Sequence, residues 1–221
     1  MKYLALILFA SLFGCSNAQE GGLKNELVSN TEETNKKEVT NKLTDNDNLQ
    51  EAYFASGCFW CVEAIFQSVK GIEDAISGYS GGKASTANYR AVSSGSTQHA
   101  EFVKVIYDPE VIDYKTLLMI FFDSHEYWTL NRQGPDAGTQ YRSAIYYQTE
   151  EEKELIDAYI KKLKESAKSN VTTEVAELQA FYEAEDYHQE YEHNNPNNSY
   201  VKAVSVPRLN KFKKKHPELL K

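Results

Sequence analysis

Hydrophobic and polar positions divide the chain into four stretches. Residues 4–10 form a short apolar run behind one positive charge, Lys2. The run is too short to span a bilayer as a mature helix and predicts an export signal. Residues 15–50, and above all 19–50, are mostly Glu, Lys, Asn and Thr with almost nothing to bury, which predicts a flexible tether. From Glu51 to Leu209 the pattern becomes that of a folded domain, and residues 210–221 end in a basic tail.

Within the domain the periods alternate between two and 3.6. An apolar run at 52–55 leads into Cys61, Ile65, Phe66 and Val69 at helical spacing, so Cys58 falls where a strand turns into a helix. Residues 72–77 predict a strand, 78–82 a glycine-rich turn, and 87–93 a short helix carrying Tyr89. Residues 99–107 alternate as a strand with Glu101, Val103, Val105 and Tyr107 on one face, closed by Asp108 and Pro109. Asp113 caps a helix bearing Leu117, Leu118, Phe121, Phe122 and His125. A polar loop at 127–143 holds Asp136 and Tyr141 and precedes a strand at 144–148; its density of hydrogen-bonding groups suits a functional loop. Thr149 and Glu152 read as a capping box opening a helix through Lys168. A strand at 173–178 and a polar, aromatic helix from 181 to 191 complete the pattern.

Composition narrows the chemistry. The chain has 221 residues, a formal net charge of −8 and no long basic run outside 211–215, which argues against a nucleic-acid partner. His188 and His193 lack the spacing of a helical ligand pair, and there is no second cysteine pair, so no metal site is expected. Phe59 and Trp60 lie between two of the three cysteines, Cys58 and Cys61. Free N–H groups at a helix start favour a thiolate at Cys58, and Cys61 lies on the same helical face, within disulfide reach. A bridge across so short a loop adds little stability, so the pair reads as redox chemistry: dithiol/disulfide exchange, or reduction of an electrophile with the dithiol becoming a disulfide. Glu101 either lies at the end of the core as a carboxyl that keeps its proton, or at the wet end of the strand; alternation leaves both open.

Two resemblances sharpen this reading. Residues 12–16, Leu12 through Cys15 to Ser16, resemble a bacterial lipoprotein box. That implies a signal peptide over residues 1–14, lipidation at Cys15 and an exported, membrane-anchored protein of the cell envelope; cleavage after Ala18 is the competing processing site. Residues 57–60, 99–101, 131–134, 136–143 and 184–189 together, in order, resemble the A-type peptide methionine sulfoxide reductases across 52–192. The resemblance implies an α+β two-layer sandwich with a central mixed sheet and flanking helices, and reduction of the S epimer of methionine sulfoxide, free or in proteins. It implies Cys58 as nucleophile, Phe59 and Trp60 holding the substrate methyl group, Glu101 as proton donor to the sulfoxide oxygen, and Tyr89, Tyr141 and Asp136 in support. No bound cofactor is implied. The C-terminal tail has no cysteine, and Cys61 stands where the family more often has glycine, so Cys61 is the expected resolving residue. A thioredoxin-like thiol would be the external reductant. The alternative from the residues alone is a thioredoxin-like dithiol oxidoreductase.

Overall fold

The computed structural model describes residues 48–167 and 170–221. The predicted signal segment, lipidation site Cys15 and nearly all of the tether lie outside the described residues, as does Lys168.

A six-stranded mixed sheet organises the domain. Its strands are β1 (Gln50–Ser56), β2 (Ile72–Ser80), β3 (Ala100–Tyr107), β6 (Ser143–Tyr147), β7 (Glu174–Glu177) and β8 (Phe181–Glu183), in the order β7-β6-β1-β3-β2-β8. Only the β6–β7 pairing is parallel. A separate two-residue hairpin pairs β4 (Arg132–Gln133) with β5 (Asp136–Ala137). The helices are α1 (Phe59–Gln67), α2 (Tyr89–Ser93), α3 (Tyr114–Asp123), α4 (Glu150–Ala167), α5 (Tyr191–Asn194) and α6 (Val206–Lys215). This is the α+β architecture, a mixed sheet with flanking helices, that the sequence led us to expect.

The alternation in β1 and β3 sorts side chains onto two faces. Phe54, Val103, Val105 and Tyr107 join the main core with Phe66, Leu117, Phe121 and Ile156 from α1, α3 and α4. Tyr53, Ala55, Ala100 and Phe102 form a smaller cluster with Ala144 and Tyr146 on the other face. Because strand side chains alternate, Glu101 shares the face of Val103 and Val105 and is only 2% exposed. Burial thus decides the question left open above: the carboxyl lies at the end of the core.

The caps are those the sequence marks. Asp113 accepts from Thr116 N at 2.8 Å. Thr149 accepts from Glu152 N at 3.2 Å, while the Glu152 carboxylate reaches back to Gln148 N at 2.6 Å.

Three expectations need correction. Residues 78–80 are not a turn but the end of β2, and Gly78 is required there because a Cβ would lie 2.2 Å from the Phe181 ring of the pairing strand. Residues 181–191 are not one helix. They form β8, a 3₁₀ turn at Asp186–His188 and the start of α5. Their backbone is held to β2 instead: Gln189 accepts from Ser77 N at 2.9 Å and donates to Ser77 O and Ala184 O at 3.0 Å each. Buried Glu63 of α1 accepts from both Ser77 Oγ and Glu190 N, which ties that loop to the first helix.

The third correction concerns the C-terminus. The boundary at Leu209 falls inside α6, and the last residues pack on the domain. Phe212 is 2% exposed. Val69 and Leu220 form an antiparallel bridge, with Lys70 N donating to Leu219 O at 2.8 Å and Lys221 N to Ser68 O at 3.0 Å. Asp123 at the end of α3 pairs with Lys215 at 2.7 Å and His216 at 2.8 Å. The basic residues of this segment therefore end a helix next to a carboxylate, where cations complement the helix C-terminus.

Candidate active site

The site is assembled at the start of α1. Gly57 makes the strand-to-helix turn with φ +90, and a Cβ there would come within 2.7 Å of Gln133. Cys58 takes the N-cap position without capping through its side chain, leaving its sulfur free for chemistry. Its carbonyl accepts from Cys61 N at 3.2 Å, so the two cysteines share the first turn. Both are free thiols, Cys58 6% and Cys61 1% exposed.

Glu101 meets the same turn from β3. Phe59 N, one of the helix's uncommitted donors, gives its hydrogen bond to Glu101 Oε2 at 3.0 Å. That bond favours the carboxylate, but burial disfavours it more. Burial, with the nearby charges of Asp136 and Cys61, pushes Glu101 up to about 8, so at neutral pH the group keeps its proton.

A cavity of about 290 Å³ opens on this turn. It is lined by Cys58, Phe59, Trp60, Tyr89, Glu101, Asp136 and Tyr141, together with Asn198, Ser199 and Tyr200. Seven residues singled out from the sequence thus meet in one place. Tyr89 comes from α2, capped by Asn88, which accepts from Ala91 N at 3.0 Å. Asp136 comes from the β4–β5 hairpin. Tyr141 closes a 3₁₀ turn clamped by Arg142, which donates to Thr139 O at 3.0 Å and Gln98 O at 3.1 Å. Burial raises Tyr89 to about 12 and raises Tyr141 as well, so both phenols are donors over the working pH range. Burial also raises Asp136.

The aromatic wall is rigid. Trp60 stacks on Tyr191, ring centroids 3.7 Å apart and planes 8° from parallel. Its indole N–H donates to His188 Nδ1 at 3.1 Å, which requires the imidazole proton to be on Nε2. Burial lowers the pKa of His188, in keeping with a neutral ring. Glu185 accepts from Tyr79 Oη at 2.9 Å and Tyr89 N at 3.0 Å, binding the same loop to β2 and α2.

The cysteine pair differs from the sequence argument in one respect. A helix start was expected to favour the Cys58 thiolate. Instead, burial pushes Cys58 well above an ordinary thiol, reinforced by its hydrogen bond to Cys61 and the charges of Cys61 and Glu101. Cys61 falls to about 6, through the hydrogen bond from Cys58 and, against burial, the charge of Arg208 and bonds from Ser205 and Tyr200. The resting pair therefore shares one proton between its two sulfurs, and the charge of Arg208 favours the ionised form. A short helix start that is itself buried cannot outweigh the loss of solvation.

Sequence reasoning missed Tyr200 and Arg208. Tyr200 donates to Asp136 Oδ2, and its oxygen lies 4.0 Å from Cys61 Sγ. Arg208 donates to Ser124 O at 2.8 Å and Ser56 Oγ at 3.1 Å. Both lie in the last part of the predicted domain, beyond the residues that carry the family resemblance, where no periodic signal marked them. Among the described residues, no group of three or more His, Cys, Asp or Glu could hold a metal ion.

Comparison with known proteins agrees with this geometry. A family model described as peptide methionine sulfoxide reductase matches residues 50–220. Peptide methionine sulfoxide reductase MsrA 2 of Synechocystis sp. is 47% identical over 175 residues, covering 78% of this chain and 82% of that one. The MsrA of Pasteurella multocida is 48% identical over 172 residues, covering 78% and 99%. Among solved structures, reduced Mxr1 from Saccharomyces cerevisiae superposes with a TM-score of 0.65 at 30% identity, over 71% of this chain and 91% of that one. Methionine sulfoxide reductase A of Corynebacterium diphtheriae gives 0.63 at 33%, over 71% and 79%. The chain belongs to the peptide methionine sulfoxide reductase family, and its activity is the reduction of methionine sulfoxide to methionine.

Proposed function

We propose that this chain reduces the S epimer of methionine sulfoxide, free or in proteins, with Cys58 as nucleophile and Glu101 as acid. The observation that carries the reading is the buried Glu101 carboxyl, held on the first N–H of α1 in the cavity that Cys58 lines. Oxygen leaves sulfur poorly as an anion, so a donor must reach it as the new sulfur bond forms. A carboxyl raised to about 8 supplies that proton at neutral pH, and Tyr89 and Tyr141 add hydrogen bonds. Asp136 and Tyr200 order the cavity through their mutual bond. Phe59 and Trp60 offer the apolar surface for the substrate methyl group.

With the pair's shared proton on Cys61, Cys58 attacks the sulfoxide sulfur as the thiolate. The oxygen ends on Cys58 as a sulfenic acid, and methionine leaves. The Cys61 thiol then displaces that oxygen as water, giving a Cys58–Cys61 disulfide. Two electrons from a thioredoxin-like dithiol restore the pair, the donor becoming the disulfide. Repair of oxidised proteins is the role this chemistry serves. The lipoprotein-box resemblance supports export to the bacterial cell envelope and anchoring through a lipid on Cys15, where the reductant's electrons must be carried across the membrane. Labelled fatty acid entering the wild-type chain but not Cys15→Ala checks that anchor; equal labelling of both sinks it.

Glu101→Gln keeps an acceptor for Phe59 N but has no acid proton. Its kcat/KM is expected to fall about 100-fold or more. In the wild type, kcat/KM should decline as pH rises through about 8, and this decline should be missing from the variant. Stability should fall over the same rise in pH. The native carboxyl retains a proton that the unfolded chain gives up, so the contribution is full below the unfolded pKa and is lost as pH rises through about 8. Above that pH, Glu101→Gln should melt higher than wild type; an equal or lower melting temperature at pH 9 contradicts the buried acid.

Cys61→Ser should still form one methionine per chain, more slowly for want of the Cys58 proton acceptor, and should stop at a sulfenic acid that dimedone traps. Turnover with thioredoxin should vanish. If the variant turns over with thioredoxin as fast as wild type, Cys61 is not the resolving residue.

A further inference from the structure

Cys58 and Cys61 share one helical turn but line different cavities. The sulfoxide cavity includes Cys58 and not Cys61; a second cavity, of about 570 Å³, includes Cys61 and not Cys58. The two cavities have two lining residues in common, Asp136 and Tyr200. Those two are hydrogen-bonded to each other, and Tyr200 Oη lies 4.0 Å from Cys61 Sγ. A single bonded pair therefore stands between the two cavities.

The second cavity has cations to offer an incoming anion of sulfur. Arg208 and Lys211 line it, and among the described residues neither forms an ion pair with a carboxylate. Its three carboxylates are Asp123, Glu126 and Asp136; Asp123 is bound to Lys215 and His216, and Asp136 accepts from Tyr200. Trp128, 48% exposed, adds a flat aromatic at the mouth, a surface suited to another protein.

We propose that this second cavity is the entrance for the reductant, whose thiolate attacks Cys61 while the sulfoxide cavity serves Cys58 alone. The proposal rests on the Cys58–Cys61 disulfide above. A thiolate must reach a disulfide sulfur directly, and of these two cavities it is the second that Cys61 lines. The step forms a bond between the donor sulfur and Cys61, breaks the bond to Cys58, and releases Cys58 with the electron pair. The donor's second thiol then closes its own disulfide and expels Cys61 as a thiolate. Arg208, whose charge helps hold Cys61 low, favours that departure. A methionine still in the first cavity does not block reduction.

The full-length chain, oxidised with excess methionine sulfoxide and no reductant, is mixed with thioredoxin whose second active-site cysteine is serine, then alkylated and mapped. The mixed disulfide should be on Cys61 and the alkyl group on Cys58; a mixed disulfide on Cys58 overturns the proposal. In parallel, Pro207→Trp narrows the mouth from an exposed position. The one-methionine burst should keep its wild-type rate, while reduction of the disulfide slows, since thiol exchange depends on access to the attacked sulfur. Arms with thioredoxin and with dithiothreitol tell whether a protein or a small dithiol uses the cavity, and slowing in either supports it. An unchanged rate in both overturns it. An oxidised wild type that holds a stable sulfenic acid instead of a disulfide would fail the earlier reading rather than the choice of cavity.

Discussion

One carboxyl group, buried where the sheet meets the first helix, is the constraint around which the site is arranged. Glu101 occupies a position that β3 would otherwise give to a valine, and its only hydrogen bond among those described is from Phe59 N. That bond orients the acid toward the turn bearing Cys58. Tyr79 of β2 pairs with it across the sheet, and the Phe59 ring packs on Tyr79. A solvated carboxyl would be ionised at neutral pH, and the cavity would have no strong acid partner for an oxygen.

The arrangement trades stability for chemistry. Two buried carboxyls, Glu63 and Glu101, rise to about 7 and about 8 through burial. Glu63 is answered by three donors, from Ser77, Glu190 and Gln67, and serves to fasten a loop; Glu101 has one donor and lines the cavity. The difference in satisfaction separates a structural carboxyl from a reactive one. The two thiols share one proton, and Arg208 beside Cys61 favours the charge on the pair.

Much of this was legible in the chain because it is local. Alternation placed Glu101 in line with Val103 and Val105, helical spacing put Cys58 and Cys61 on one turn, and Asp113 and Thr149 marked their helices. Strand alternation assigns a face but does not reveal how deeply the strand's end is buried, which depends on residues distant in the chain. Residues 181–191 misled for the same reason: their aromatic content suits a helix, yet Gly78 leaves room for Phe181 and draws the segment into the sheet. Tyr200 and Arg208 were invisible because their partners are distant, 64 residues away for Asp136, 84 for Ser124 and 152 for Ser56. Family resemblance supplied the roles that periodicity could not, but it stopped short of the C-terminal segment that encloses Cys61.

The most direct test of the central claim is infrared difference spectroscopy of the reduced enzyme, wild type minus Glu101→Gln, titrated from pH 5 to 10. The account predicts a protonated carboxyl stretch assigned to Glu101 at pH 7 that disappears with a midpoint near 8. A band already lost by pH 6, with the carboxylate signal in its place, would mean that Glu101 is ionised in the resting site and does not supply the proton.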